Sequence, residues 1–258
     1  MKKEESKFIK SNIFEGMVSI RSLINAQDKA VSDRKITKVY VSESKTSKRG
    51  KELSYIKARS YDLGYTIEVI PDEELDSLTL GNSHGGLICE ASERTIPQLT
   101  NETKLKENGF YVMIEGIEDP YNFGYALRSL YAAGADGIIL SPRNWMSAAG
   151  VVCRASAGAS EVTDIYICDG SNAVNIFRNK GYSVICSDIK NSVSVYETEL
   201  KYPLFLIVGG EKRGITSALL SKADKIVRLD YKGEFNNALS AASAASILAF
   251  EIMRQNLK

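Results

Sequence analysis

Histidine and cysteine are scarce in this chain: His84 stands alone, and Cys89, Cys153, Cys168 and Cys186 lie far apart with no C-x-x-C pair. That set cannot complete a common zinc site, and its spacing is not a disulfide framework, so a metal-free, reduced, cytoplasmic protein is expected. No apolar run approaches the ~20 residues that span a bilayer. The segment Met1 to Lys10 is charged and lacks the apolar core of a secretory signal, so no membrane partner is expected either. Charge of one sign is also lacking. Thirty-three Lys and Arg balance thirty-two Asp and Glu, so total charge neither demands nor excludes nucleic acid.

What is present is ordinary globular composition, 44% hydrophobic and 25% charged over 258 residues, enough for one large domain or two modest ones. Charge is distributed in blocks. From Lys29 to Arg59 there are ten Lys and Arg against three acids, and from Ser60 to Glu93 eight acids and no Lys or Arg. Such blocks read as two solvated faces, or as an RNA-contacting face should the partner be RNA. The polar stretch 96–107, with Pro97 at its start, reads as a linker between domains at 1–95 and 108–258.

The first domain reads as a small α/β module. Its pattern predicts a helix around Phe14 to Asn25, strands at Thr37–Val41 and Tyr65–Ile70, and between them a helix over Lys51–Leu63. In the second domain short apolar runs at 110–115, 137–140, 164–167, 183–186, 204–208 and 225–229 alternate with helical patterns. That alternation predicts an open, mostly parallel α/β sheet, closed by an Ala- and Ser-rich helix over Ala238–Gln255.

Three segments of the second domain fall where such sheets bind ligands, at the carboxyl ends of strands. The first, Glu115 to Arg128, has Pro120, Asn122 and Gly124 in a turn and carries Arg128 one helical turn further. The second, Ile207-Val-Gly-Gly-Glu-Lys-Arg-Gly-Ile215, matches neither the dinucleotide fingerprint nor a phosphate loop, yet Gly209 and Gly210 allow close backbone approach to a ligand. The third, Ile226 to Glu251, runs strand, loop and small-residue helix. His84 reads as a structural loop residue. Trp145, with Arg143 and Asn144, reads either as a buried anchor or as a platform for a splayed base.

Taken in order, these segments resemble the three motifs of the SpoU/TrmH RNA methyltransferases of the SPOUT superfamily. Asn122, Gly124 and Arg128 resemble motif one, Gly209, Glu211 and Gly214 motif two, and Leu239 with its helix motif three. Cys153-Arg-Ala-Ser-Ala-Gly158 is similar to the family's R-x-S-x-G segment, and Phe14-Glu-Gly16 with His84-Gly-Gly-Leu-Ile88 looks like the substrate-binding domain of the 23S ribosomal RNA guanosine 2′-O-methyltransferase branch.

The resemblance implies a deep trefoil knot in the second domain, an L30e-like first domain, a homodimer, and transfer of a methyl group from S-adenosylmethionine to a ribose 2′-hydroxyl of rRNA or tRNA. It implies Gly209, Gly210, Leu229, Leu239 and Ser240 as cofactor-binding residues and Arg128, Asn122, Glu211 and Ser240 as catalytic ones. Guanidinium stays protonated, so Arg128 is expected to stabilise developing alkoxide or grip a phosphate rather than act as a base. Where the family reads S-L-N this chain reads Ala238-Leu239-Ser240, with one residue more than usual between Gly233 and Leu239. That departure motivates an alternative, a silent relative that binds structured RNA.

Overall fold

The short apolar runs become strands, and the polar or small-residue patterns between them become the helices that cover both faces. The computed structural model describes residues 12–79, 84–117, 119–142, 148–210, 213–234 and 237–257. Along the chain come β1 (Ile13–Glu15), α1 (Gly16–Asp28), β2 (Ile36–Ser42), α2 (Gly50–Leu63), β3 (Thr66–Ile70), α3 (Asp72–Ser77) and β4 (Leu87–Ala91). These are followed by β5 (Phe110–Glu115), α4 (Pro120–Ala132), β6 (Gly137–Leu140), α5 (Ala149–Ala155), α6 (Ala159–Val162), β7 (Ile165–Ile167) and α7 (Gly170–Asn179). The chain ends with β8 (Ser183–Ser187), β9 (Val193–Ser194), β10 (Leu204–Gly209), α8 (Ser217–Leu220), β11 (Lys225–Arg228) and α9 (Ala241–Asn256). They form two compact units, Met1–Thr95 with Trp145–Val162 and Ile96–Asn144 with Thr163–Lys258.

The second unit is built on a seven-stranded sheet in the order β7-β6-β5-β10-β8-β11-β9. Every neighbouring pair is parallel. Alternate side chains of β5 and β10 serve opposite faces, as period two requires. Tyr111, Met113, Phe205 and Ile207 enter one apolar cluster with Phe177 and Tyr182, in which Phe177 stacks on Phe205 at 4.1 Å between ring centroids. Val112, Ile114, Leu206 and Val208 are equally buried. Helix α4 packs against α9, and α9 turns Ala245, Leu248, Ala249 and Ile252 inward. Its start lies at Ala241, three residues later than the pattern predicts. The cause is Ser240, which caps the helix by accepting a hydrogen bond from the Ser243 N–H at 3.1 Å.

The stretch expected as a linker is instead fastened along this sheet. Leu99 N donates to Ile167 O at 2.9 Å, Ile167 N donates to Pro97 O at 2.9 Å, and Leu99 is buried in the Phe177 cluster. Composition alone marked it as a connection, but Leu99 and Leu105 pack on the cluster, and bonds from Lys180 to Asn101 O and from Tyr182 to Lys106 O add to the two backbone bonds.

In the first unit a four-stranded sheet, β1-β4-β2-β3, pairs β1 and β2 antiparallel to β4 and β3 parallel to β2. Phe14 belongs to β1, paired with Cys89, so α1 starts at Gly16 rather than at the phenylalanine. Residues of α5 and α6 pack within this unit, a long-range return that local periodicity does not signal. Ala149 and Cys153 of α5 join the apolar cluster around Phe14, and a polar anchor lies beside them. Arg34 Nε donates to Glu161 Oε2 at 3.0 Å, its Nη1 donates to Ser92 O at 2.7 Å, and its guanidinium lies over Phe14. Both charged side chains are almost wholly buried.

Three residues of the basic block are committed to partners within this unit. Arg34 is buried, Lys38 pairs with Glu68, and Arg59 pairs with Asp28 and Asp62. The acidic block supplies two of those partners, Glu68 and Asp62. His84 is structural, as expected. Its Nε2 lies 2.8 Å from Asp76 Oδ1, and its Nδ1 accepts from Gly86 N at 3.1 Å, which places the proton on Nε2.

Candidate functional site

The carboxyl ends of β8, β10 and β11 open into a cavity of about 420 Å³. Ser187 and Asp188 come from the end of β8, Val208, Gly209, Gly210, Gly214 and Ile215 from β10 and its loop. Leu229 and Tyr231 follow β11, and Leu239, Ser240, Ala244 and Leu248 close the cavity from α9 and the turn before it.

The β10 loop is shaped by contacts that leave no room for side chains. Gly210 N donates to Glu115 O at 2.5 Å, and Gly214 N donates back to Gly210 O at 3.1 Å. A Cβ at Gly210 would sit 2.3 Å from Gly116 O, so glycine there is a steric requirement. Beneath this loop, burial pushes the Glu115 carboxyl up, against the opposing pull of the Thr216 N–H. Its Oε2 is out of solvent and has no hydrogen-bond partner among the described residues. At the opposite wall Leu239 N donates to the Tyr231 hydroxyl at 3.3 Å. Arg228 also lines the cavity, with Nε donating to Asp230 at 2.8 Å and Nη1 to Ser192 O at 2.6 Å.

All five residues expected to bind the cofactor, Gly209, Gly210, Leu229, Leu239 and Ser240, therefore meet at one cavity. Ser240 does so while capping α9, with Oγ also 3.0 Å from Ser243 Oγ. Asn122 and Arg128 do not line it. Helix α4 begins at the carboxyl end of β5, with Asp119 as N-cap accepting from Asn122 N at 2.7 Å and Pro120 in the first turn. Arg128 stands exposed on α4, on the face it shares with Tyr121 and Tyr125, which are themselves exposed. Glu211 lies outside the described residues, as do Arg143, Asn144, Trp145 and Asn236. Ser187, Asp188 and Tyr231 were missed from the sequence. Their available signal was position, since all three lie just beyond a predicted strand.

The volume and lining suit a purine nucleoside carrying a short charged tail. Apolar side chains of Val208, Ile215, Leu229, Leu239 and Leu248 suit a flat heteroaromatic ring, while backbone groups of the glycine loop and the Asp188 carboxylate supply polar partners. Among the described residues no group of His, Cys, Asp and Glu is arranged to hold a metal ion, and no helix is long and apolar enough to cross a membrane.

Fold and site together define an α/β protein with a cavity of small-ligand size at the carboxyl edge of a parallel sheet. A model described as the SpoU rRNA methylase family matches residues 109–250, and one described as RNA 2′-O ribose methyltransferase substrate binding matches residues 21–97. The chain belongs to the SpoU rRNA methylase family. The YacO protein of Bacillus subtilis (strain 168), named for the TrmH family of tRNA/rRNA methyltransferases, is 25% identical over 229 residues, covering 87% of this chain and 90% of its own length. Among solved structures, an RNA 2′-O ribose methyltransferase is 22% identical, with a TM-score of 0.77 over 94% of this chain and 88% of its own. The AdoMet-bound rRNA methyltransferase of Sinorhizobium meliloti is 24% identical, with a TM-score of 0.78 over 96% and 88%. At those identities the structural likeness speaks for the fold.

Proposed function

We propose that this chain transfers a methyl group from S-adenosylmethionine to a ribose 2′-hydroxyl of rRNA or tRNA. The observation that carries the reading is the convergence of Gly209, Gly210, Leu229, Leu239 and Ser240, from two separate family motifs, on one cavity of nucleoside size. When bound, the cofactor supplies an electrophilic methyl group on a cationic sulfur. The chain's own work is to hold the reactants in line and to relieve the negative charge that grows on the ribose oxygen.

Gly209 and Gly210 bind through backbone groups, and Leu229 and Leu239 wall the ring. Ser240 offers a hydroxyl at the position of the family's asparagine, so the altered third motif is read as competent. Arg128 is assigned to the ribose and its phosphate, always cationic and able to form two parallel hydrogen bonds. Asn122 orients the hydroxyl, and Glu211 positions Asn122.

A homodimer completes this reading. Arg128 faces solvent beside Tyr121 and Tyr125, and α9, which packs on α4, exposes Ile247 and Phe250. Apolar and aromatic residues at an arginine-bearing face suit an interface that places Arg128 against a second copy. A trefoil knot in the seven-stranded unit is part of this reading and rests on the family resemblance. We assign the four-stranded unit to RNA binding, with an L30e-like fold, and the seven-stranded unit to methyl transfer. The four free, buried cysteines fit a cytoplasmic setting.

Calorimetry with S-adenosylhomocysteine tests the cavity directly. Binding at one site per chain is expected, and at one hundred times its dissociation constant the ligand should stabilise the fold by about 2.7 kcal/mol. A chain that neither binds it nor melts at a higher temperature in its presence refutes the reading.

A further inference from the structure

Among the described residues Tyr231 is the one aromatic that lines the cavity, and it precedes the stretch in which the third motif departs from the family's pattern. It lies two residues beyond Leu229, lines the cavity, and keeps 40% of its surface exposed. Its hydroxyl accepts the Leu239 N–H at 3.3 Å. The bond therefore spans the connection between β11 and α9, joining the residue that enters the loop to the one that leaves it.

Geometry gives that bond a purpose. Leu239 and Ser240 both line the cavity, and Ser240 also caps α9. Their positions depend on where the loop returns the chain to the helix. The Leu239 N–H lies one residue ahead of the Ser240 cap, and the tyrosine hydroxyl ties it to the start of the connection. The tyrosine ring, on the same side chain, lines the cavity opposite the glycine loop. Aromatic faces stack on nucleobases irrespective of base identity, and an adenine has such a face.

We infer that Tyr231 is a positioning residue for the cofactor, acting twice: its hydroxyl fixes Leu239 at the cavity wall, and its ring covers the purine. The inference rests on the reading of the cavity as the S-adenosylmethionine site and adds a residue to it. Because the side chain is part-exposed, its removal should leave the empty protein almost as stable as before, which separates positioning from a structural role.

The experiment measures S-adenosylhomocysteine affinity by calorimetry and melting temperature with and without that ligand, on the full chain. Tyr231→Phe keeps the ring and loses the hydroxyl, and should weaken binding about threefold, the scale of one long neutral hydrogen bond. Tyr231→Ala loses both, and should weaken it by about tenfold or more, the scale of a lost stacking face. In both variants the ligand-free melting temperature should stay near that of the wild type, while the ligand-induced rise shrinks. In steady state KM for S-adenosylmethionine should rise with kcat little changed.

Tyr231→Ala that binds as tightly as the wild type overturns the inference while leaving the cavity assignment intact. Equal falls in ligand-free melting temperature and in affinity also overturn it, since they mark a structural role. A wild-type chain that binds no S-adenosylhomocysteine overturns both the assignment and the inference built on it.

Discussion

Replacing Gly210 with alanine tests the shape of the cofactor loop at its tightest point. The added Cβ would lie 2.3 Å from Gly116 O, 2.4 Å from Gly116 C and 2.7 Å from Glu115 O. All three are backbone atoms, so no side chain can swing aside. The shortest approach is roughly 1 Å inside ordinary van der Waals contact, which forces a backbone shift between the ends of β5 and β10. Overpacking of this kind costs about 1–3 kcal/mol. At roughly 2–4 °C per kcal/mol for a protein of this size, the melting temperature should fall by about 2–12 °C. Gly210 also donates to Glu115 O at 2.5 Å, a bond that the same shift would stretch. Affinity for S-adenosylhomocysteine should fall with stability, by more than about tenfold, because Gly209, Gly214 and Ile215 move with the loop. Gly233 supplies the control. Its Cβ would meet nothing within 4 Å and its φ is not left-handed, so Gly233→Ala should change neither quantity. Thermal unfolding and calorimetry on the two variants decide the matter. A Gly210→Ala protein with wild-type melting and affinity would refute the packing argument.

Three further outcomes can be checked on the same footing. Glu161→Ala leaves the Arg34 guanidinium buried without its carboxylate, and chemical denaturation should show a loss of about 3–5 kcal/mol. Ser240→Asn keeps a strong N-cap and should melt as the wild type does, whereas Ser240→Ala should lose about 1 kcal/mol of stability. Burial holds the folded Glu115 carboxyl above its ordinary value of 4.5, so the folded state keeps that proton to higher pH than the unfolded chain. Its ionised form then costs stability once pH rises past the unfolded value. Glu115→Gln should therefore melt higher than the wild type at pH 7 to 8 and no differently at about pH 4, as differential scanning at both pH values would show.

Much of this was legible because strand-forming runs carry their own punctuation. The runs at 110–115 and 137–140 match β5 and β6 at both ends, bounded by Gly109 and Gly116 and by Asp136 and Ser141. Helix ends were less readable. Ala238 and Leu239 are good helix formers, and only the side-chain bond from Ser240 decides that α9 starts after them. Long-range returns carried no local signal at all. The docking of α5 and α6 in the first unit brings Arg34 to Glu161, 127 positions away, and Cys153 to the Phe14 cluster.

The site divides in the same way. Gly209 and Gly210 could be picked out as residues for which only glycine allows close backbone approach, and the cavity contains both. Tyr231 could not, because a tyrosine after a strand is unremarkable until its hydroxyl is seen to meet Leu239 N. Arg128 was assigned from its spacing within the first motif, and spacing does not say which way α4 turns it. The charge blocks illustrate the limit of composition. Lys38, Arg34 and Arg59 add to the basic count, yet each is committed to an acidic partner.

The most direct measurement is methyl transfer itself: incubate the full chain with methyl-labelled S-adenosylmethionine and total ribosomal and transfer RNA, digest the RNA to nucleosides, and locate the label. The account predicts label on a ribose 2′-oxygen, with Arg128→Ala lowering single-turnover transfer by about 10² to 10³ while affinity for S-adenosylhomocysteine stays unchanged. Label on a base, no transfer to any RNA despite normal cofactor binding, or turnover that survives Arg128→Ala within about twofold would contradict it.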